Sequence, residues 1–200
     1  MSTLSRFFVT MFGALLSFAS HAALITYTFT GIASGLLNDN SFSNQAFTIV
    51  IRGDTANVST SIFNSGTPAI KLALTNTITI GALLSGSISD GGLYVFNNQT
   101  IQTVGFGSNN HADLIDLGPD SSLATYDLAS SFGPIGDPTP FFNQFTSVEL
   151  LGGQVLSLSN LSDAAFTAVT DGTSIPEPAT LALLGFGLAA AGLSRRKSEH

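Results

Sequence analysis

A period-two alternation of apolar and polar residues constrains this chain most strongly. It is clearest at residues 24–31, where large apolar residues alternate with threonines: Ile25, Tyr27 and Phe29 against Thr26, Thr28 and Thr30. Successive side chains of a β-strand point to opposite faces, so this alternation gives one apolar face and one polar face. The pattern predicts strands that are buried on one side only.

Similar runs recur about every ten residues, separated by turns rich in glycine and asparagine. The run Phe47–Ile51, the turn Gly53-Asp54 and the run Val58–Ile62 together predict a hairpin. Further strands are predicted at Thr77–Ile80, Leu93–Phe96, Ile101–Val104, Phe145–Leu151, Val155–Leu158 and Phe166–Val169. None of these stretches has the sustained 3.6-residue period of a helix.

Two segments interrupt the pattern. Gly118–Pro140 is rich in proline and glycine, so we expect mainly a long surface connection, with a short strand at Leu123–Leu128. Asn160–Asp163 separates the last two predicted strands. The whole pattern indicates an all-β fold, an antiparallel β-sandwich or jelly roll, with a barrel as an open alternative.

Composition limits the chemistry of the chain. There are no cysteines, which excludes disulfides, thiolate metal sites and cysteine nucleophiles. Between Ala23 and Ser174 the basic residues are Arg52 and Lys71, against eleven acidic residues. Such a surface repels phosphate backbones, so nucleic acid is not an expected partner. The length fits one passenger domain, residues 23–170, flanked by targeting segments.

Residues 1–22 have the three parts of a secretory signal peptide. Arg6 lies near the amino terminus, the apolar run Phe7–Phe18 follows, and small residues occupy Ser20 and Ala22. The apolar run is shorter than the roughly 20 residues that a lasting helical span requires. We therefore expect signal peptidase to cut between Ala22 and Ala23.

A second targeting pattern occupies residues 175–197, after a predicted linker at residues 171–174. Pro176-Glu177-Pro178 cannot continue a helix and is expected to be extended and exposed. The apolar residues 179–194 predict one transmembrane helix, short for a standard bilayer. The cluster Arg195-Arg196-Lys197 then predicts a cytoplasmic end.

This order of Pro-Glu-Pro, short span and basic cluster resembles the PEP-CTERM sorting signal, also catalogued as the ice-binding protein C-terminal domain. The resemblance implies recognition by an exosortase, an integral membrane cysteine protease, and transient anchoring in the inner membrane before delivery to the cell surface or biofilm matrix. Despite the catalogue name, the resemblance does not imply ice binding, and it assigns no other activity to the domain. The residues it nominates are Pro176, Glu177 and Pro178 for recognition, and Arg195, Arg196 and Lys197 for the stop and anchor.

The domain also resembles other small PEP-CTERM secreted proteins, though less specifically. They open with a strand similar to ITYTFTG and carry a second strand that ends in Gly-Asp, as IRGDT does here. This resemblance implies an exported β-rich domain and adds no mechanism.

Few residues suggest catalysis. His111, beside Asp113 and Asp116, could act as an acid, a base or a metal ligand, or could be a solvated turn residue. No G-x-S-x-G motif nominates a serine nucleophile. A pair of carboxylates for glycan hydrolysis stays open, because eleven acidic residues make some pair inevitable, although Glu149 is the one glutamate on a predicted strand.

Two larger sets of residues allow binding roles. Calcium takes six to eight oxygen ligands, and the most acidic stretch offers carboxylates that could equally cap turns: Asp113, Asp116, Asp120, Asp127 and Asp137. Aromatic residues could stack on sugar rings or belong to the core: Tyr27, Phe42, Phe63, Tyr94, Phe106, Phe132, Phe141 and Phe142.

These observations favour a non-enzymatic surface or matrix protein without a cofactor or metal, associated with exopolysaccharide through weak multivalent contacts. Two alternatives remain open. A matrix glycan hydrolase would need two carboxylates about 5 to 10 Å apart in a concave pocket. A calcium-stabilised adhesin would lose stability in chelator.

Overall fold

The computed structural model describes residues 23–60, 68–71, 75–111 and 113–174. Within them, Ala23–Thr173 forms one compact unit. The signal peptide and the sorting tail at residues 175–197 lie outside the described residues, so their assignments stay predictions. No helix in the described ranges is long and apolar enough to cross a membrane.

The described residues contain twelve β-strands in two sheets. One sheet has the order β10-β12-β1-β2-β5-β6, with β11 also paired to β12, and the other has the order β3-β4-β7-β8-β9. The strands are β1 Ala23–Leu37, β2 Asn40–Asp54, β3 Val58–Thr60, β4 Pro68–Lys71, β5 Thr75–Ile80, β6 Leu84–Gly86, β7 Leu93–Asn98, β8 Thr103–Ser108, β9 Ile115–Leu117, β10 Phe132–Asp137, β11 Val148–Glu149 and β12 Val155–Ser174. The prediction of an all-β fold with antiparallel sheets is confirmed.

The first two strands form a long hairpin. Its register runs from Leu24 opposite Asp54 to Leu37 opposite Asn40, with a shift near Ala33. The loop residues Asn38 and Asp39 have φ of 47° and 65°. A two-residue loop with both residues at positive φ matches the twist of hairpin strands, and asparagine and aspartate tolerate this conformation best after glycine.

The buried faces of the two sheets share one core. The ring centroid of Phe29 on β1 lies 5.2 Å from that of Phe106 on β8 and 5.0 Å from that of Phe166 on β12. Phe145, which precedes β11, makes edge contacts with Phe47 and Phe106. Burial of each ring contributes about 2 to 3 kcal/mol, and tilted contacts are favourable aromatic geometries. The layering is that of a β-sandwich.

The prediction of a hairpin from Phe47–Ile51 to Val58–Ile62 is wrong. β2 pairs with β1 and β5, whereas β3 pairs with β4 in the other sheet. The physical reason is a capped 3-10 turn, Thr55–Asn57, in which Asp54 Oδ1 accepts a 2.8 Å hydrogen bond from the Ala56 amide. This turn directs the chain out of the first sheet.

The last two predicted strands are one strand, β12, which also includes the four residues assigned to a linker. Asn160–Asp163 does not turn the chain. Leu161 and Ala164 are buried, which keeps this stretch on the sheet. Asp163 has a positive φ of 49°, so the backbone of the strand is irregular at this residue.

The segment Gly118–Pro140 is more ordered than a surface connection. Leu123–Leu128 forms no strand, because Asp120 caps a 3-10 turn at Ser121–Thr125. Leu123 and Leu128 are fully buried, and Phe132–Asp137 pairs with β12 as β10. Two other strands differ from their predicted bounds. β8 begins at Thr103, two residues later than predicted, and continues to Ser108, and β11 has two residues where seven were predicted.

Candidate functional site

A cluster of polar side chains in the described domain lies where β7 begins and β8 ends. Leu93 pairs with Ser108 across these strands, so the segment before β7 faces the loop after β8. Asp90 stands in the first segment, and His111 in the second. Ser108 and His111 form a turn in which the Ser108 amide donates a 2.7 Å hydrogen bond to the His111 carbonyl.

Three side chains converge on the carboxylate of Asp90, which is 2% exposed. Ser108 Oγ donates to Asp90 Oδ2 at 2.5 Å, and His111 Nδ1 lies 2.7 Å from the same oxygen. Asn110 Nδ2 donates to Asp90 Oδ1 at 3.2 Å. Burial raises the pKa of Asp90, but the hydrogen bonds from Ser108, His111 and Asn110, with the charge of His111, outweigh it and lower the pKa below its usual value.

Serine, histidine and aspartate meet here without forming a catalytic triad. In a triad the serine hydroxyl bonds to one ring nitrogen of the histidine and the aspartate to the other. Ser108 Oγ instead donates to Asp90 and accepts a 2.9 Å hydrogen bond from the His111 amide. The hydroxyl is also buried, with Ser108 2% exposed. This cluster therefore connects the segment before β7 to the loop after β8, and its serine hydroxyl is not available as a nucleophile.

A second polar group lies on β9. Asp116 stands opposite Gly105 on β8, and its backbone exchanges two 2.9 Å hydrogen bonds with Phe141. Its Oδ1 is buried without a hydrogen-bond partner. Burial, followed by the charge of Asp113, raises the pKa of Asp116 to about 7. Burial also raises the pKa of Asp113, so the two carboxyls form a pair that resists full ionisation.

The carboxylates of the remaining aspartates in the acidic stretch accept hydrogen bonds from backbone amides and hydroxyl groups. Asp120 accepts from the amide and hydroxyl of Ser122. Asp127 accepts from the Ala129 and Ser130 amides, and Asp137 accepts from the amides of Gly118 and Thr139. No three histidine or acidic side chains in the described ranges are grouped so that they could hold a metal ion. The five aspartates are thus not brought to one calcium site there.

The other candidate residues, Glu149 and the aromatic side chains, do not lie in either of these polar clusters. Glu149 is exposed on the two-residue strand β11. Among the described aromatic candidates, Phe141 is the exposed one, at 43%. The others are buried or pack against the core: Tyr27, Phe42, Tyr94, Phe106, Phe132 and Phe142. Phe63 lies outside the described residues.

Sequence reasoning did not single out Asp90 or Ser108. The bond between them joins positions 18 residues apart, and its existence depends on the β7–β8 register. The signal that could have found Asp90 is its place before Gly91-Gly92, both at positive φ. A turn at Gly91-Gly92 places Asp90 beside the loop that follows the neighbouring strand β8.

The described domain is therefore all-β, and it ends where a targeting pattern begins. A family model described as the PEP-CTERM protein-sorting motif matches residues 174–197. The chain accordingly carries a PEP-CTERM sorting motif, as its Pro-Glu-Pro, apolar and basic elements predict. Comparison with curated proteins and with solved structures gives no significant match.

Proposed function

We propose that this is an exported bacterial protein that an exosortase releases to the cell surface or extracellular matrix. The observation that carries the proposal is the sorting motif at residues 174–197. In this scheme signal peptidase cuts between Ala22 and Ala23 during export. The apolar helix at residues 179–194 then holds the chain in the inner membrane until the exosortase cuts near Pro176-Glu177-Pro178.

The passenger domain, in this proposal, is non-enzymatic and associates with exopolysaccharide. Two features support this role. The Ser108 hydroxyl is committed to Asp90 and buried, which removes one route to hydrolysis. Phe141 offers an exposed ring on the sheet edge beside β9, where a sugar could stack. Single contacts of this kind are weak, so binding would depend on many copies along one polymer.

A matrix glycan hydrolase is the second candidate, favoured by one observation. Asp116, with its pKa raised to about 7, has the protonation behaviour of a general acid near neutral pH. Release of reducing sugar from purified host exopolysaccharide, abolished in Asp116→Asn, would support this candidate over the binding role. Calcium-stabilised adhesion is tested by comparing Tm in calcium and in chelator.

The sorting proposal is tested in the native host by following the processed protein. The double variant Pro176→Ala/Glu177→Ala should stay in the membrane fraction with its basic tail, while the wild type appears in the medium or matrix. Glu149→Ala, which changes an exposed acidic residue of the domain, is the matched control and should be released normally. Intact mass and N-terminal sequence identify both cuts. Release of the double variant at the wild-type rate would refute the proposal.

A further inference from the structure

The outer face of the larger sheet carries rows of threonine side chains. Along β1, β2 and β5 every second residue is buried in the core, so the residues between them point outward. The strand registers align these outward residues in three rows: Thr26, Arg52 and Thr75; Thr28, Val50 and Thr77; and Thr30, Thr48 and Thr79. We call these nine residues the threonine face.

The hydroxyls of the threonine face have no protein partners. Within the described residues, none of its seven threonine side chains makes a hydrogen bond. Thr26 Oγ1 is in addition buried from solvent. A hydroxyl that is shielded from water without a hydrogen bond costs free energy. A partner on this face can therefore supply hydrogen bonds that the described domain does not.

Arg52 is the one charged residue of the threonine face, and it is exposed. Its guanidinium forms neither an ion pair nor a hydrogen bond with the described residues. Asp54, two positions further along β2, accepts a hydrogen bond from the Ala56 amide. A guanidinium presents its N–H donors in a planar fork that fits the two oxygens of a carboxylate. The charge of the face is therefore complementary to a single carboxylate.

The position of this face restricts the class of partner. β1, β2 and β5 each have a paired strand on both sides in the order β12-β1-β2-β5-β6. An extended peptide that adds a strand needs an open sheet edge, and none of these three strands offers one. A nucleic acid carries a phosphate charge about every 1.7 Å of its axis, against one arginine here. The partner must be recognised through side chains and must be rich in hydroxyls.

We propose that the threonine face binds an extended acidic polysaccharide, with a sugar carboxylate on Arg52 and sugar hydroxyls on the threonines. Sugar hydroxyls donate and accept hydrogen bonds, as threonine hydroxyls do. Screening over about 8 Å at physiological salt limits repulsion from acidic residues elsewhere on the domain. The inference rests on the proposed association with exopolysaccharide and names the chemical class of the polymer and its site.

The first test removes the positive charge of the face. The full chain is produced in its host, purified, and its binding to immobilised hyaluronan, in which glucuronate alternates with a neutral sugar, is compared with binding to neutral dextran. The wild type should prefer hyaluronan, and Arg52→Gln should weaken that binding about tenfold. Lys71→Gln makes the same charge change on β4 of the other sheet and should bind as the wild type does. Urea denaturation checks that both variants are folded.

A second pair of variants adds a negative charge instead. Thr75 is exposed and lies opposite Arg52, so the carboxylate of Thr75→Glu can pair with the guanidinium. This variant should weaken binding as much as Arg52→Gln does. Thr100→Glu adds the same charge at an exposed turn after β7 and is the matched control. Equal losses in Thr75→Glu and Thr100→Glu would show an effect of net charge alone and would refute the site.

Retention on exopolysaccharide purified from the host separates this inference from the proposed function. If the wild type is retained there but Arg52→Gln is retained equally, or if the wild type binds hyaluronan no better than dextran, the site is refuted and the association stands. If polyglutamate displaces hyaluronan at equal carboxylate concentration, the face recognises acidic chains in general and the assignment to a polysaccharide is refuted. A wild type that host exopolysaccharide does not retain would refute the association itself.

Discussion

The Ser108 hydroxyl donates a 2.5 Å hydrogen bond to the Asp90 carboxylate rather than to the His111 ring. His111 Nδ1 and Asn110 Nδ2 bond to the same carboxylate. Because Asp90 is 2% exposed, these donors replace the water that would otherwise solvate its charge. The cluster is therefore a stabilising bridge between the segment before β7 and the loop after β8.

Removal of this carboxylate should be costly. In Asp90→Ala three donors lose their acceptor, and we expect the free energy of unfolding to fall by about 2 to 4 kcal/mol in urea denaturation at pH 7. The folded pKa of Asp90 lies below its ordinary value of 3.8. Its stabilisation is therefore present above that pH and lost as the pH falls further.

The control for this prediction is Asp120→Ala, which removes an exposed cap of a 3-10 turn. It should cost no more than about 1 kcal/mol. Equal losses in the two variants would show that Asp90 contributes only an ordinary turn cap, and the bridge would be rejected.

Asp116 should have the opposite pH dependence. Its folded pKa of about 7 lies above the ordinary value of 3.8, so folding favours the protonated form. The contribution of this carboxyl to stability is complete below about pH 4 and is lost as the pH rises through 7. Asp116→Asn keeps a neutral group of the same shape, so it should stabilise the protein at pH 8 by about 1 to 3 kcal/mol and have little effect at pH 4.

Denaturation curves between pH 4 and 8 measure this difference. Asp113 and Tyr94 are the other titratable groups coupled to this carboxyl, and the pKa of Tyr94 is raised first by burial and then by both carboxylates. Asp120→Asn is the control, since Asp120 is exposed and its pKa is lowered by the bonds from Ser122. Parallel curves for Asp116→Asn and the wild type would contradict the prediction.

The sequence predicts those features of the fold that depend on local pattern. The period-two runs at Ile25–Phe29 and Phe47–Ile51 indicate strands with one buried face, and β1 and β2 confirm both. What the pattern cannot indicate is the partner of a strand. Asp54 caps the 3-10 turn Thr55–Asn57, and after this turn the chain continues as β3, which pairs in the other sheet and not back along β2.

The same limit applies to the polar clusters. Asp90 and His111 meet because the β7–β8 register brings their loops together, and no spacing in the sequence shows that contact. The neighbours of His111 in sequence, Asp113 and Asp116, suggested the wrong partners. The sorting motif is the contrasting case, because its chemistry lies in contiguous residues that need no fold to be recognised.

The close packing around Gly105 on β8 leaves no room for a side chain at this position. A Cβ there would lie 2.3 Å from Asp116 Oδ1, 2.3 Å from the Ile115 carbonyl oxygen and 2.8 Å from Phe96 Cζ. We therefore expect Gly105→Ala to lower the free energy of unfolding by about 3 kcal/mol or more, since these contacts exceed ordinary overpacking. Gly136→Ala is the control, because a Cβ at Gly136 would have the Ala164 carbonyl oxygen as its nearest neighbour, at 3.9 Å.

A double variant separates the two causes of this loss. Asp116→Ala removes the carboxylate from the space above Gly105 but leaves the Ile115 carbonyl in place, since that group belongs to the backbone of β9. Gly105→Ala/Asp116→Ala should therefore recover only part of the stability lost by Gly105→Ala. Full recovery would mean that β9 can move away from β8, and the close approach of these strands would then not be what requires glycine at this position.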